Sequence, residues 1–381
     1  MRTKFKQTTA FYWLITMKAL ILAGGFGTRL RPLSCTRPKL MFPVANRPLL
    51  DWTMENLSRN GVKTVILAVN YGAEMLFRYF GKSKFGMEII YSRESKPLGT
   101  GGPIKKAEDL LNSDRDPFFV LNGDVLSSID YAGLFKFHET NGAKATIALH
   151  EVENPSRFGV VELNGENQIL RFVEKPKLEE APSKLINAGV YVLDYSVLNL
   201  ITPETKVSLE RSVFPILAQE RRLYGQRFDG LWIDIGTPDD YLNANIAMLG
   251  IVAKEKPLIG DDVKISDEAE IIPPVIIGNG VTIERDACIG PNAAIGDYTT
   301  IRGGSKISNS VLFPSAWIDS STSIKNAIIG ESAILGRWVK IEDGCIVGDH
   351  VIINDDVTLA RVKVCPSKEV EESIIQPSTV M

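Results

Sequence analysis

The chain has 381 residues, of which 44% are hydrophobic and 23% are charged, so it is long enough for two or three domains with sizeable cores. Its 43 basic and 46 acidic side chains give a net charge of −3, which excludes the broad basic surface that nucleic acid or an anionic membrane would require. The four cysteines are far apart and the histidines number three, a pattern that argues against zinc and disulfides and favours a reducing cytoplasm.

The first 16 residues differ in pattern from the rest of the chain. Basic residues precede a short apolar run at residues 10–15, which imitates a signal peptide but lacks sufficient length and a cleavage site of small residues. No run approaches the ~18 to 20 apolar residues of a membrane span. We therefore expect a soluble, cytoplasmic protein with no nucleic-acid or membrane partner. Residues 1–16 are expected to be an N-terminal extension, with Met17 as a candidate native start.

Between residues 17 and 250, short apolar runs alternate with helical patterns, which indicates a mostly parallel sheet with crossover helices. Three of these runs predict strands that are buried on both faces: 19–23, 64–69 and 118–121. Ligands of such sheets bind at the carboxyl ends of the strands, so the glycine and polar residues after each run are the first site candidates. Near the end of this region, Thr237 and Pro238 predict the start of a helix that continues through Met248.

A second region begins after a polar linker at residues 254–257. Aliphatic residues recur there at every sixth position and then, after a change of phase, at every sixth position again: Ile265, Ile271, Ile277, Ile283, Ile289, Ile295, Ile301 and Ile307, then Ile329, Leu335, Ile341, Val347, Ile353 and Leu359. This period predicts a parallel β-helix over residues 258–381, with the aliphatic side chains stacked inside it. Residues 309–326 separate the two phases, and we expect Phe313 and Trp317 to distort the coil or protrude from it.

The first predicted strand runs into a turn that contains three glycines: Gly24, Gly25 and Gly27. The backbone N–H groups of such a turn can bind phosphate oxygens, and Arg29 adds charge. A P-loop would need Gly-Lys-Ser/Thr, and a dinucleotide fingerprint would need a third glycine at the position of Leu30, so both are disfavoured. A plain tight turn remains open on the glycines alone. A second basic pair, Arg37 and Lys39, favours an anion site.

Further motifs occur along the chain: Leu98-Gly99-Thr100-Gly101-Gly102-Pro103, Asn122-Gly123-Asp124, Phe158-Gly159-Val160-Val161, Phe172-Val173-Glu174-Lys175-Pro176, Ile186-Asn187-Ala188-Gly189 and Trp232-Ile233-Asp234-Ile235-Gly236. Together with the glycine turn and Arg37-Pro38-Lys39, this series resembles the sugar-1-phosphate nucleotidylyltransferase family over residues 18–245. Within that family the sequence is most similar to the mannose-1-phosphate guanylyltransferase branch. The resemblance implies an α/β fold: a Rossmann-like, mostly parallel nucleotidyltransferase domain followed by a left-handed parallel β-helix.

The activity that the resemblance implies is nucleotidyl transfer, in which a phosphate oxygen of a sugar 1-phosphate attacks the α-phosphorus of a nucleoside triphosphate and pyrophosphate leaves. A phosphate monoester has a second pKa near ~6, so the nucleophile is largely ionised at neutral pH and needs no general base. The barrier comes from holding two polyanions in line, a task for cations and fixed N–H donors. The branch implies GTP and mannose-1-phosphate as substrates, GDP-mannose as product and Mg²⁺ as cofactor.

The resemblance also implies a role for each motif residue. Arg29 and Lys39 would be the catalytic cations, and Asp124 and Asp234 would bind Mg²⁺. Nucleotide contacts are expected from Leu22, Gly24, Gly25, Gly27, Thr28, Arg29, Leu98, Gly99, Thr100 and Asp124. Sugar-phosphate contacts are expected from Gly159, Glu174, Lys175 and Asn187. Because all these motifs precede residue 245, the chemistry is expected to need the first domain only, while the edges of the β-helix are expected to join copies into a homo-oligomer.

Other interpretations stay open at this point. The same chemistry could use glucose 1-phosphate with UTP or dTTP. A catalytically silent regulatory subunit that senses a nucleotide sugar would be a different class, although the presence of every motif cation and carboxylate argues against it. His350, inside a hexad, is expected to be a solvated corner residue rather than the base of an acyltransferase.

Overall fold

A computed structural model describes residues 17–70, 72–111 and 115–381. The expected extension at residues 1–16 therefore lies outside the described residues. Within the described ranges, none of the helices combines the length and the apolar character needed to cross a bilayer.

The N-terminal part is an α/β domain in which strands and helices alternate. Its strands are β1 Lys18–Ala23, β2 Pro43–Val44, β3 Arg47–Pro48, β4 Thr64–Val69, β5 Ser83–Lys84, β6 Met87–Arg93, β7 Phe118–Asn122, β8 Val125–Ser127, β9 Ala145–Glu151, β10 Gly159–Leu163, β11 Ile169–Glu174, β12 Leu185–Leu193, β13 Leu223–Arg227 and β14 Trp232–Asp234. Its α-helices are α1 Leu49–Arg59, α2 Ala73–Phe80, α3 Gly102–Lys106, α4 Glu108–Leu111, α5 Tyr131–Thr140, α6 Phe214–Gln219 and α7 Pro238–Val252. The three predicted strands are confirmed as β1, β4 and β7.

These three strands lie side by side at the centre of the main sheet, whose order is β11-β10-β12-β7-β1-β4-β6-β5. β7, β1, β4 and β6 run parallel, whereas β12 pairs antiparallel with β7. Alternate residues of one strand enter different cores: Ile21 belongs to the cluster on one face of the sheet and Leu20 to the cluster on the other. Burial on both faces explains the continuous apolar runs. The parallel direction brings the carboxyl ends of β1, β4 and β7 to the same edge.

Helix α7 begins where the sequence predicted. The Thr237 hydroxyl accepts a hydrogen bond from the Asp240 N–H, and the Asp240 carboxylate accepts one from the Thr237 N–H, so the two residues form a capping box. The helix extends beyond the predicted Met248 to Val252. The helix packs against residues 293–295 and 310–312 of the C-terminal repeats.

From Leu258 onward, short parallel strands stack into three sheets. The first contains Leu258–Ile259, Val275–Ile277, Ala293–Ile295, Ser310–Leu312, Ile328–Ile329, Ile346–Val347, Val362–Val364 and Ser378–Val380; the second contains Lys264–Ile265, Thr282–Ile283, Thr300–Ile301, Trp317–Ile318, Ile334–Leu335, Ile352–Ile353 and Glu369–Val370; the third contains Glu270–Ile271, Cys288–Ile289, Lys306–Ser308, Ser323–Lys325, Lys340–Ile341 and Thr358–Leu359. The hexad aliphatic residues form the interior between these sheets. The predicted fold class is confirmed, since stacked parallel sheets of this kind are consistent with a left-handed β-helix.

The segment at residues 309–326 differs from expectation. The interior row continues through it at Leu312, Ile318 and Ile324, and two steps are one residue shorter than a hexad, from Ile307 to Leu312 and from Ile324 to Ile329. Asparagines at these two shortened corners adopt the left-handed backbone that this residue tolerates: Asn309 has φ 46° and Asn326 has φ 49°. The expected distortion was wrong, because the coil absorbs both shortened steps, but both aromatic side chains do point outward from the coil: Phe313 into the cluster of the N-terminal domain and Trp317 into solvent.

The β-helix packs against the N-terminal domain through the outward side of its first sheet. Ala294, Val311, Ile328 and Ile346, which point outward from that sheet, belong to the same hydrophobic cluster as the core of the N-terminal domain. Phe313 is also fully buried there, with its ring centroid 6.1 Å from that of Phe42. The two parts therefore share one continuous core.

Candidate active site

A cleft of about 460 Å³ opens at the carboxyl ends of β1, β6 and β7, and the polar residue that follows β4, Asn70, does not line it. Its lining includes Lys39 and every residue predicted to contact the nucleotide: Leu22, Gly24, Gly25, Gly27, Thr28, Arg29, Leu98, Gly99, Thr100 and Asp124. Residues from three separate segments of the chain thus meet because the parallel sheet ends there. Glu94, which comes directly after β6 at the same edge, also lines this cleft.

A second cavity of about 560 Å³ adjoins the first. It contains Asp234 and the four residues predicted to contact the sugar phosphate: Gly159, Glu174, Lys175 and Asn187. The two cavities share the side chains of Arg29, Thr100, Asn122 and Asp124. Two ligands bound in these cavities would therefore meet beside Arg29 and Asp124.

The glycine turn leads into a short 3₁₀ helix at Thr28–Leu30 rather than into a long α-helix. Gly27 has φ 59°, and the Ser34 hydroxyl donates a hydrogen bond of 2.8 Å to its carbonyl oxygen. Gly24 faces the Glu94 carboxylate, where an added Cβ would lie 3.3 Å from Oε1. Donors for an anion in this cleft therefore come from the turn itself and from Arg29, with no long helix dipole behind them.

Lys39 and Asp124 form an ion pair at the junction of the two cavities. Lys39 Nζ lies 2.8 Å from Asp124 Oδ2, with the lysine 9% and the aspartate 39% exposed. The pairing of β14 with β8 brings Asp234 beside this pair, because Asp234 aligns with Val125. Burial raises the pKa of Asp234, and the charge of Asp124 raises it further against the opposing charges of Lys39 and Arg29.

Two carboxylates that repel each other are a suitable start for a Mg²⁺ site. Over the described ranges, no cluster of three or more His, Cys, Asp or Glu side chains has the arrangement of a complete metal site. Mg²⁺ commonly uses one or two protein carboxylates and takes its other ligands from water and substrate phosphates. Asp124 and Asp234 therefore fit a Mg²⁺ ion that binds together with a phosphate ligand.

The second cavity presents one acidic and one basic side chain from adjacent residues. Burial raises the pKa of Glu174, and the nearby charge of Glu210 adds to this, while Lys175 opposes it. Lys175 Nζ lies 3.7 Å from Glu174 Oε1, and Lys175 itself is 60% exposed. A Cβ at Gly159 would lie 3.0 Å from Glu174 Oε2 and 2.5 Å from Phe172 Cζ, so glycine keeps this space open. Asn187 is held by a 2.9 Å hydrogen bond from its Nδ2 to the Tyr191 hydroxyl.

The sequence did not identify two acidic residues that support this site. Glu94 Oε2 accepts a 3.1 Å hydrogen bond from the Leu98 N–H, and Glu210 Oε2 accepts one of 2.7 Å from the Thr100 hydroxyl. Both carboxylates fix the segment that carries Leu98 and Thr100. Glu94 stands just past the end of β6, so the rule that selected Asn122 and Asp124 could have selected it. Glu210 has no comparable sequence signal.

Arg37, in contrast to Lys39, lines neither cavity. Its guanidinium points toward the β-helix, where Nη2 lies 2.6 Å from both Glu331 Oε2 and Asp349 Oδ2. Of the second basic pair in the sequence, Lys39 therefore lines the first cavity and Arg37 contacts the β-helix. His350, next to Asp349, is exposed at a corner of the β-helix.

Comparison with known proteins agrees with this geometry. The nucleotidyl transferase family matches residues 18–250, and the chain belongs to that family. The GMPPB C-terminal domain matches residues 271–380. The chain is 40% identical over 368 residues to the mannose-1-phosphate guanylyltransferase catalytic subunit beta of Dictyostelium discoideum, and 39% identical over 369 residues to that of Danio rerio. Each match covers 96% of this chain and 100% of the relative. The predicted family is thus confirmed.

Solved structures support the fold of the N-terminal domain. A UDP-glucose pyrophosphorylase from Acinetobacter baumanii matches with a TM-score of 0.57 at 23% identity, over 63% of this chain and 95% of that one. A UDP-glucose pyrophosphorylase complexed with UDP-glucose matches with a TM-score of 0.54 at 25% identity, over 61% of this chain and 98% of that one.

Proposed function

We propose that the protein transfers a guanylyl group from GTP to mannose-1-phosphate, giving GDP-mannose and pyrophosphate. The observation that carries this proposal is the pair of adjoining cavities that share Arg29 and Asp124, one lined by the predicted nucleotide residues and the other by the predicted sugar-phosphate residues. The base and the sugar are taken from the names of relatives that match over their full length.

The reaction forms a bond between a phosphate oxygen of the sugar phosphate and the α-phosphorus of GTP, and breaks the bond from that phosphorus to the β-phosphate bridging oxygen. The leaving pyrophosphate carries the electron pair of the broken bond. Because the attacking oxygen is already ionised, no side chain has to remove a proton. The protein instead has to bring two anions together and keep them aligned.

Cations at the junction of the cavities supply this electrostatic stabilisation. Arg29 lies beside the glycine turn, and a Cβ at Gly236 would be 3.3 Å from both Arg29 Nη1 and Asp234 Oδ2, which places this guanidinium next to the acidic pair. Lys39, fixed by Asp124, stands where the α-phosphate would face the sugar phosphate. Mg²⁺ bound by Asp124 and Asp234 would neutralise part of the phosphate charge. Preorganised positive charge of this kind stabilises the transition state more than the ground state.

Selection of the sugar falls to the second cavity. The Glu174 carboxylate is placed to accept hydrogen bonds from sugar hydroxyls, and the exposed Lys175 ammonium can pair with the sugar phosphate. Asn187 and the backbone at Gly159 supply the remaining contacts in this proposal. The nucleotide binds on the other side, where Leu98, Gly99 and Thr100 form a wall for the base.

The experiment is a pyrophosphate-release assay with a matrix of substrates. Purified full-length protein with Mg²⁺ is combined with each of GTP, UTP and dTTP and with each of mannose-1-phosphate and glucose 1-phosphate. The proposal requires the highest kcat/KM with GTP and mannose-1-phosphate. Preference for glucose 1-phosphate with UTP or dTTP would replace the substrates but keep the chemistry. Binding of GDP-mannose without turnover of any pair would identify a regulatory subunit.

We further propose the domain bounds, the oligomeric state and the cellular location of the protein. Residues 17–250 form the catalytic domain and residues 258–381 the β-helix domain. Copies associate into a homo-oligomer through the outward side of the second sheet of the β-helix, where Trp317, Ile334 and Ile352 are 40%, 44% and 39% exposed in one row. The protein works in the cytoplasm, a location consistent with its scattered cysteines.

A further inference from the structure

Arg37 connects the active-site segment to the β-helix by two ion pairs, of which the pair with Asp349 is buried. Its side chain is only 13% exposed, and it pairs at 2.6 Å with Asp349, which is 3% exposed. The same guanidinium lies 2.6 Å from Glu331 and stacks 4.9 Å from the centroid of the Phe313 ring. Burial tends to lower the pKa of Arg37, but the charges and hydrogen bonds of the two carboxylates outweigh this and raise it.

Neighbouring residues attach the same segment to the β-helix at further points. The Thr36 hydroxyl donates a 2.6 Å hydrogen bond to Asp349 Oδ2, and Asn46 Nδ2 donates one of 2.6 Å to the carbonyl oxygen of Ile295. These two residues bracket the segment that contains Lys39. Both ends of that segment are therefore fixed to the β-helix as well as to the N-terminal domain, where Asn245 Oδ1 accepts a 2.9 Å hydrogen bond from the Ala45 N–H.

The link from Arg37 to Lys39 is short and stiff. Only Pro38 separates them, and its ring fixes φ at −66°. Pro38 is packed so closely on Gly72 that a Cβ there would lie 2.9 Å from its ring carbons. Lys39 then begins a 3₁₀ turn and places its Nζ 2.8 Å from Asp124. The backbone between Arg37 and Lys39 therefore has little freedom, so a displacement of Arg37 would also displace Lys39.

A second aspartate in the β-helix shows what Asp349 would do without Arg37. Asp355 caps the Arg337 N–H at 2.7 Å, as Asp349 caps the Glu331 N–H at 2.7 Å, each bridging 18 residues. Asp355 also pairs with an arginine, but with Arg337 of the same β-helix, and it is 42% exposed. Capping of a backbone N–H in the neighbouring coil thus explains why an aspartate stands at each of these positions. Asp349 differs from Asp355 in that it is also buried against Arg37.

We propose that Arg37, held by Asp349 and Glu331, is a positioning residue that sets the place of Lys39 in the active site, so that the β-helix takes part in catalysis. The inference rests on the proposed function, because it assigns Arg37 an effect on the transfer step. A positioning ion pair differs from a purely structural one in one respect: the turnover of the correctly folded enzyme depends on it.

The test compares full-length Arg37→Ala, Arg37→Lys, Asp349→Asn and the matched control Asp355→Asn by kcat, both KM values and thermal unfolding. A displacement of about 1 Å at a reacting group can cost on the order of 100-fold, so we expect Arg37→Ala and Asp349→Asn to lower kcat by about 10- to 100-fold. Arg37→Lys keeps the charge but loses the planar guanidinium that contacts both carboxylates and the Phe313 ring, so its kcat should lie between those of wild type and Arg37→Ala. Asp355→Asn should keep wild-type kcat, and the KM for sugar phosphate should change little in all four.

A double-mutant cycle with Lys39→Ala separates positioning from structure. If Arg37 acts through Lys39, then Asp349→Asn should lower the residual kcat of Lys39→Ala by less than about twofold. Undiminished kcat in folded Arg37→Ala, an equal loss in Asp355→Asn, or a full additional loss in the Lys39→Ala background would overturn the proposal. Glu331→Gln, on the more exposed partner, provides the same comparison where Asp349→Asn does not fold. Absence of turnover in the wild-type protein would contradict the proposed function instead, since the positioning role is judged by ratios to wild type.

Discussion

Asp124 and Asp234 lie far apart in sequence and meet because β8 pairs with β14. We expect Asp234→Asn to lower kcat by about 100-fold or more, because it removes negative charge that would hold the metal beside the reacting phosphates. The thermal midpoint should stay the same or rise, since burial already opposes ionisation of this carboxyl. Kinetics as a function of Mg²⁺ concentration measure the effect. Asp229→Asn, at a 92% exposed position, is the control. Near-normal turnover in saturating Mg²⁺ would remove Asp234 from the metal site.

Glu174 provides a pH-dependent prediction. Its pKa is raised in the folded protein, so the native state binds this proton more tightly than the unfolded chain, and stability falls as pH rises through the range just above the ordinary glutamate pKa. Glu174→Gln removes that loss. The variant should unfold at a higher temperature than wild type at neutral pH, with the difference vanishing at low pH, while its turnover falls. Thermal unfolding between about pH 4 and about pH 8 tests this. A lower midpoint at neutral pH would contradict it.

Lys175 separates the two substrate sides. We expect Lys175→Ala to raise the KM for sugar phosphate by about tenfold and to leave the KM for nucleotide nearly unchanged, because its ammonium lies in the second cavity only. Lys177→Ala is a matched control, since Lys177 is 74% exposed and pairs with Glu180 nearby. A larger change in the KM for nucleotide would assign Lys175 to the triphosphate.

The sequence predicts those residues of the site that belong to local motifs. Arg29, Lys39 and Glu174 stand in short, dense patterns, and the cavities contain all of them. Glu210 escaped prediction because its partner Thr100 is remote in sequence and the contact exists only after folding. Arg37 and Lys39 form one basic pair in the sequence, which does not show that their side chains face opposite directions.

Among the elements, the three sheets of the β-helix present different outward surfaces. The first faces the N-terminal domain, and the second carries the exposed row of Trp317, Ile334 and Ile352. We expect Ile334→Glu to dissociate the proposed oligomer, because a charge at the centre of an apolar contact has no partner. Light scattering measures the mass. Lys340→Glu, outward on the third sheet of the same coil, is the control. An unchanged mass in Ile334→Glu would move the oligomer contact elsewhere.

The β-helix also shows how far a periodic pattern can predict an element. Hexads identified the strands and the interior row, because each outward or inward position repeats with the coil. The distortion predicted for the segment between the two phases was wrong, since one missing residue in a hexad resembles a break in the pattern, whereas Phe313 and Trp317 do point outward. Left-handed residues stand at the shortened corners, as at Asn309 and Asn326, and at full-length corners, as at Asn292 and Gly344, so the coil keeps the same corner backbone when a residue is missing.

At the level of the whole molecule, the shared core changes the expectation for a truncated protein. The motifs all precede residue 245, which suggested that the first domain suffices for the chemistry. Ending the chain after residue 250 would expose the apolar surface that meets Val311, Phe313 and Ile328, and would remove both partners of Arg37. We now expect a truncated protein with a lower thermal midpoint and at most about one-tenth of wild-type kcat. Calorimetry and the pyrophosphate assay test this; full activity with unchanged stability would show that the domains are independent.

The two carboxylates that form ion pairs with Arg37 belong to successive coils, since Glu331 and Asp349 occupy equivalent corners 18 residues apart. Adjacent strands in a sheet are spaced about 4.8 Å apart, so each added or removed coil moves the later residues of the β-helix by more than the length of a hydrogen bond. Gain or loss of one whole coil before Glu331 would preserve the repeat pattern and yet shift both carboxylates by one coil, so that only one of them would still face the guanidinium. The number of coils between the linker and residue 331 is therefore a fixed dimension of the enzyme, whereas coils beyond residue 349 are free to vary in number.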